Sequence, residues 1–139
     1  MTQHVESLRV ETPGRALVEV TRAVEAVVAR SGVRTGLATV YCRHTSASLV
    51  ITENADPSAR GDLARWLERL APDGDPANRH TAEGPDDSPA HLRSAVTRTS
   101  ESIPVVGGEL ALGTWQGLFL VEHRLRGHAR ELVVHVAGD

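Results

Sequence analysis

Of the seven histidines in this 139-residue chain, three stand in polar phrases close to acidic residues: His44-Thr45-Ser46-Ala47-Ser48, His80-Thr81-Ala82-Glu83-Gly84 and Pro89-Ala90-His91. Neutral imidazoles are the commonest ligands of divalent metals, and a neighbouring carboxylate adds a ligand or a general base. The expectation is a shared centre in which His44, His80 and His91 hold a divalent ion, zinc or another transition metal, and leave coordination positions open. No contiguous H-E-x-x-H is present, so the fold itself must bring the three together. Glu53 and Glu83 are the bare carboxylates able to take a proton, with Glu53 the better placed beside Asn54, an amide that both donates and accepts. Asp56 is read two ways, as an acidic partner of the centre and as the cap of the helix that follows.

Other residues invite competing readings. His44 with Ser46 or Ser48 has the composition of a nucleophilic dyad, but no G-x-S-x-G elbow accompanies it. The serines read instead as hydrogen-bonders to a phosphate or hydroxyl, or as polar strand positions. Gly113-Thr114-Trp115-Gln116-Gly117 interrupts a strand-like stretch, and Trp115 suits stacking on a heterocyclic ligand as well as core or interface packing. Glu122 either reaches the same site or pairs with Arg124 or Arg130. His123, Arg124, Arg126, His128 and Arg130 make a basic turn, either a phosphate holder or a solvated hairpin tip. His4 and His135 are given no role.

Several function classes are excluded at once. Every basic residue is an arginine, so a Schiff-base lysine and a phosphate-loop lysine are both absent. A formal net charge of -3 argues against broad affinity for nucleic acid or anionic membrane. Cys42 is the single cysteine, which forbids an internal disulfide; in a strand-like run it reads as a buried, inert thiol. No apolar run approaches the ~20 residues needed to span a bilayer, and the N-terminal residues have no signal-peptide pattern. A cytoplasmic protein folded as one domain over residues 1–139 is expected.

The elements that must position these residues follow from patterning. His4 to Glu11 alternates as a strand before Pro13-Gly14. Leu17, Val20, Val24, Val27 and Val28 recur at helical spacing up to Ser31-Gly32. Thr35 to Cys42 and Ala47 to Glu53 are β-rich and flank a short polar connection that carries His44. Asp56-Pro57 caps a helix with Leu63, Trp66, Leu67 and Leu70 on its apolar stripe. Pro72 to Asp87 reads as a functional loop carrying His80 and Glu83. A short helix follows, with Ser88 as cap and Leu92, Ala95 and Val96 facing inward. The rest is strand: Ser102 to Val106, Glu109 to Thr114, Gln116 to Glu122 and Arg130 to Val136. Segregated hairpins with two to three inserted helices predict an α+β fold, a mixed or antiparallel β-sandwich.

Taken in order, the phrases from His44-Thr45-Ser46 through Glu53-Asn54-Ala55-Asp56-Pro57, His80 with Glu83-Gly84, Ala90-His91 and Ile103-Pro104-Val105 to Leu112-Gly113-Thr114-Trp115-Gln116 and Glu122 resemble the YjbQ-like family, often named secondary thiamine-phosphate synthases. The resemblance runs from about Gly36 to Gly138. It implies a YjbQ-like sandwich assembled as a homotrimer, with the histidines in a cleft near subunit contacts. It also implies joining of a pyrimidine, activated as its pyrophosphate, to thiazole phosphate. Carried over by position, His44, His80 and His91 would form the metal or phosphate centre, Glu53 and Asp56 its acidic partners, and Trp115 and Gln116 the ligand wall. The family usually has an asparagine shortly before the last of these histidines, where this chain reads Asp86-Asp87-Ser88-Pro89. It usually has an aspartate-glycine turn after the glutamate, where this chain reads His123-Arg124-Leu125-Arg126-Gly127.

Three functions are therefore weighed: a metal-dependent enzyme of thiamine-phosphate-synthase type acting on a phosphorylated small molecule, a metal-dependent hydrolase of a phosphorylated or amide substrate, and a non-catalytic trimer that binds a metal or small anion. Catalytic roles fall to Glu53, Asp56 and Glu83, and substrate contacts to Ser46, Asn54, Trp115, Gln116 and Glu122.

Overall fold

Alternation of inward apolar and outward polar residues builds two antiparallel sheets, seen in a computed structural model that describes residues 1–139. The larger takes strands β1 (Thr2–Glu11), β3 (Thr35–Cys42), β5 (Ser100–Val106), β6 (Glu109–Leu110) and β8 (Ala129–Gly138) in the order β1-β8-β3-β5-β6. The smaller takes β2 (Ala16–Glu19), β4 (Ala47–Glu53) and β7 (Gln116–Glu122) in the order β2-β7-β4. Their inner faces meet through Ala38, Val40, Leu49, Ile103, Leu118, Leu120, Leu132 and Val134, all buried. Helix α1 (Thr21–Ser31) adds Val24, Val27 and Val28 to the same core and stops at Gly32 in the left-handed conformation (φ 73°). The fold is the α+β sandwich expected, with three helices.

Several elements differ from the sequence reading. Leu17 lies in strand β2, paired with Val121, and not in the first helix. A spacing of three between Leu17 and Val20 serves a helix stripe and a strand-to-helix junction equally well. The helix begins at Thr21, whose buried hydroxyl accepts the Leu118 N–H at 2.9 Å and ties it to β7. Strand β6 stops at Leu110, and the chain runs irregularly until Gln116.

Helix α2 (Pro57–Leu70) starts as Asp56-Pro57 foretold: the Asp56 carboxylate accepts the Ser58 N–H at 2.9 Å. Of its apolar stripe only Leu67 is buried, while Trp66 and Leu70 are half exposed. Helix α3 (Asp87–Val96) turns a different face inward from the one expected. Asp87, Pro89, Ala90 and Arg93 are buried, whereas Leu92 and Val96 are about half exposed. Arg93 tolerates burial because its guanidinium donates to Asp73 at 3.0 Å, a carboxylate that also takes two bonds of 2.9 Å from Arg15. Gly14, with φ of 123°, lets the β1–β2 link pass against the β7–β8 turn, where a Cβ would stand 2.5 Å from the Leu125 carbonyl. That turn and the first turn of α3 are the two pieces from which the site is made.

Candidate functional site

Asp87, the first residue of α3, is the centre of the polar cluster. Its Oδ2 lies 2.8 Å from Nε2 of His80 and 2.9 Å from Nε2 of His91, one helical turn further along. Its Oδ1 accepts from Arg124 at 2.8 Å. The His80 and His91 rings are 5.3 Å apart at a tilt of 44°. Asp87 is almost completely buried, and His80 and His91 are partly open to solvent. Burial would raise the Asp87 carboxyl; the His80 hydrogen bond and the His91 and Arg124 charges outweigh it and hold the carboxyl below its ordinary value.

Arg124 commits all three of its nitrogens here. Besides Asp87 it donates to Asp86 at 3.0 Å and to the Glu83 carbonyl at 3.1 Å. Asp86 also accepts the Leu125 N–H at 3.0 Å. It precedes α3 but makes no side-chain cap to it, and Ser88 sits inside the helix. Burial raises the Asp86 carboxyl, and the Leu125 bond and Arg124 more than offset that. The guanidinium thus fastens the 80s loop and the start of α3 to the β7–β8 turn.

A backbone contact dictates the tautomer of each cavity histidine. Nδ1 of His91 lies 2.8 Å from the Thr45 carbonyl, which only accepts, so Nδ1 carries a hydrogen. The Glu131 N–H donates to Nε2 of His44 at 2.8 Å, so that nitrogen carries none. His44 and His91 both border a cavity of about 780 Å³ whose wall includes Tyr41, Arg43, Ser94 and Thr99. His44 is not brought into the Asp87 cluster; a set of ligating atoms within 4.8 Å of one another comprises His80, Asp87 and His91. Glu83 is exposed on the loop beside it, and its carbonyl is what Arg124 holds.

Beneath the cluster lies a second polar layer that solvent does not reach. Glu122 is fully buried in a two-point ion pair with Arg130 and also accepts from Thr12 at 2.7 Å. The Arg130 guanidinium donates in turn to the Ser46 hydroxyl at 3.0 Å. Ser46 and Glu122, expected at a substrate, are therefore partners of Arg130 inside the sandwich. Ser48 lies 2.8 Å from Nε2 of His123, and both are buried. This serine–histidine pair does exist, but with a different histidine from the one anticipated and with no access for a substrate. Burial, aided by the charges of Arg93, Arg15 and Arg130 against that of Glu122, pushes the His123 pKa down to about 3. Only the tip of the basic segment, Leu125 and Arg126, is solvated: His123 and Arg130 are interior, and Arg124 is ion-paired.

The remaining expected residues gather elsewhere. Ala47 pairs with Glu122 at one end of β4, and Glu53 pairs with Gln116 at the other. Six residue steps in a strand separate them by about 20 Å. Glu53 accepts the Asp56 N–H at 3.0 Å, and Asp56 caps α2. Asn54 donates to the Gln116 carbonyl at 3.4 Å, and Gln116 accepts the Gly113 N–H at 2.8 Å. Trp115 is 64% exposed on the adjoining turn. Within one chain this group does not meet the histidines.

Sequence reasoning gave Asp87 no role and read Arg124 only within a basic turn, as a phosphate holder, a solvated tip or a partner of Glu122. The first carried a usable signal, since Asp87 and His91 are four apart at a helix start and share a face. The second carried none, because its partners are some 40 positions away and reach it only through the fold. No helix is long and apolar enough to cross a membrane.

A family model described as UPF0047 protein YjbQ-like matches residues 6–139. The UPF0047 protein sll1880 of Synechocystis is 56% identical over 137 residues, covering 99% of this chain and 93% of that protein. The UPF0047 protein YjbQ of Salmonella typhimurium is 44% identical over 77% of each chain. Among solved structures, a YbjQ-like protein of unknown function from Sulfolobus solfataricus superposes with a TM-score of 0.91 at 25% identity, over 99% of this chain and 98% of that one. The conserved hypothetical protein TT1486 of Thermus thermophilus gives 0.84 at 38% identity, over 93% and 97%.

Proposed function

The chain belongs to the UPF0047 YjbQ-like family, and from that membership and the α3 cluster we propose a metal-dependent enzyme acting on a phosphorylated small molecule, with His80, Asp87 and His91 as the metal ligands. One observation carries the reading. Nε2 of His91, whose Nδ1 holds a hydrogen against the Thr45 carbonyl, and Nε2 of His80 both stand within 2.9 Å of Asp87 Oδ2, and the three ligating atoms lie within 4.8 Å of one another. Two imidazole nitrogens and a carboxylate oxygen so placed could hold a divalent cation in common.

The spacing suits a metal. His80, Asp87 and His91 would each offer one ligand atom, all within 4.8 Å of one another, and would hold a divalent ion between them. Two imidazoles and one carboxylate favour zinc or ferrous iron over magnesium. An ion held there supplies a Lewis acid for negative charge developing on a phosphoryl oxygen. The protein's own part is orientation. Thr45 aims His91, Arg124 turns Asp87 so that Oδ2 faces the rings, and Glu83 is the exposed carboxylate near enough in the chain to carry a proton.

Joining of an activated pyrimidine to thiazole phosphate, the reaction the family resemblance implies, is one form of this chemistry. The donor set favours a second, hydrolysis of a phosphorylated substrate, because pyrophosphate transfer commonly uses magnesium held by oxygen ligands. Association as a homotrimer is part of the proposal. Val5, Leu37, Tyr41 and Val106, between 45 and 64% exposed on the outer face of the large sheet, support it as a surface that further copies would cover.

Elemental analysis of protein purified without tag or added metal is the test. Near-stoichiometric transition metal is expected in the wild type, lost in His91→Ala and Asp87→Ala and kept in Glu53→Gln. Wild type that holds none and takes none up sinks the metal reading. Assays with pyrimidine pyrophosphate plus thiazole phosphate, and with phosphomonoesters, then separate the two reactions.

A further inference from the structure

We propose that the cavity between His44 and His91 binds an anionic oxygen, from a phosphate or carboxylate group, on the Nδ1–H of His44. The proposal rests on reading this end of the molecule as the substrate site, and it does not require the metal. A neutral imidazole carries one hydrogen and one lone pair. The Glu131 N–H, 2.8 Å away, occupies the lone pair of Nε2, which leaves the hydrogen on Nδ1. That nitrogen has no partner in the protein, although the ring borders a cavity of about 780 Å³. In this state the ring donates; it offers no lone pair to a metal and no site to an incoming proton.

The surroundings favour negative charge on the ligand. Burial first, and then the charge of Arg130, hold the His44 pKa below its ordinary value, so the ring stays neutral and the donor stays on Nδ1 near neutral pH. Arg43 engages Glu131 through Nη1 alone, at 3.2 Å, and its other nitrogens are free at the same rim. Tyr41 adds a half-exposed ring to the wall, and the hydroxyls of Ser94 and Thr99 lie along it. His44 thus offers the cavity a hydrogen on Nδ1, while Nε2 of His91 is engaged with Asp87. An oxyanion held at His44 is stabilised by a fixed dipole that needs no proton transfer.

Side-chain ¹H–¹⁵N correlation spectra of ¹⁵N-histidine-labelled protein, titrated separately with inorganic phosphate and with zinc, test this directly. His44 is expected in the Nδ1–H form, with its Nδ1 signal moved by phosphate and unmoved by zinc. Calorimetry should show phosphate binding weakened about tenfold in His44→Phe, as for a lost hydrogen bond to a charged group, and nearly retained in His44→Asn, whose amide donates from the Nδ1 position. An Nε2–H tautomer, a His44 signal that answers zinc and not phosphate, or equal phosphate affinity in His44→Phe would overturn it. The tautomer and the phosphate response are read on the wild type, so they stand even if the phenylalanine variant misfolds. Zinc that fails to move His80 and His91 removes the metal centre and leaves this result untouched.

Discussion

The two ends of the three-stranded sheet carry the same kinds of side chain and use them oppositely. At the Glu53 end, carboxylates and amides are satisfied by backbone N–H groups of their own turn: Glu53 by Asp56, Asp56 by Ser58, Gln116 by Gly113. At the Ala47 end, side chains satisfy one another across elements far apart in sequence, as in His80–Asp87–Arg124 and Ser46–Arg130–Glu122. The difference teaches that residue type does not identify a site. What does is whether donors and acceptors are consumed locally or left to converge. A carboxylate that caps a turn is structural, and one that faces two imidazoles across elements marks a candidate site.

The contrast predicts unequal costs. Glu122→Ala leaves Arg130 buried without its counter-charge and should destabilise the protein by about 3–5 kcal/mol; Glu53→Ala should cost about 1 kcal/mol, the value of a surface hydrogen bond. Urea unfolding of both variants decides, and equal losses would erase the distinction between the ends. Next in size is acid sensitivity. The unfolded chain protonates His123 below its ordinary value of 6.5, whereas the folded protein resists until about pH 3. Its contribution is intact above pH 6.5 and falls as pH drops through that window, by about 2 kcal/mol at pH 5. Urea midpoints at pH 7.5 and pH 5 should therefore differ less in His123→Gln than in the wild type. The smallest effect belongs to the cap. Asp56→Ala should lower the urea midpoint by less than any of these and leave metal content and the His44 signals unchanged; loss of either would show that the two ends communicate.

Much of the frame was legible in the residues. Thr35–Cys42, Ala47–Glu53 and Gln116–Glu122 stand where β-rich patterning put them, and Asp56-Pro57 opens α2 as caps do. Local rules suffice where local energetics decide. They fail at α3, because burial of Arg93 is settled by Asp73 and Arg15, partners that no periodicity reveals. They fail in part at the site. His80 and His91 were grouped by type, but the carboxylate that joins them and the backbone contacts that select the tautomers of His44 and His91 belong to the folded chain. Asp86-Asp87 and Arg124 are two sides of one contact, an acidic pair met by an arginine that neither segment reveals alone.

Arg124 has a thermal consequence. Between Pro72 and Pro85 no residue is buried, so the loop that carries His80 is fastened to the body by charge and hydrogen bonds and not by an apolar interior. The sandwich below is held by a valine- and leucine-rich core. Fastenings of these two kinds release separately. On warming or in concentrated salt, the loop is expected to lift while both sheets stay intact, so that the protein would lose its imidazole pair before its shape.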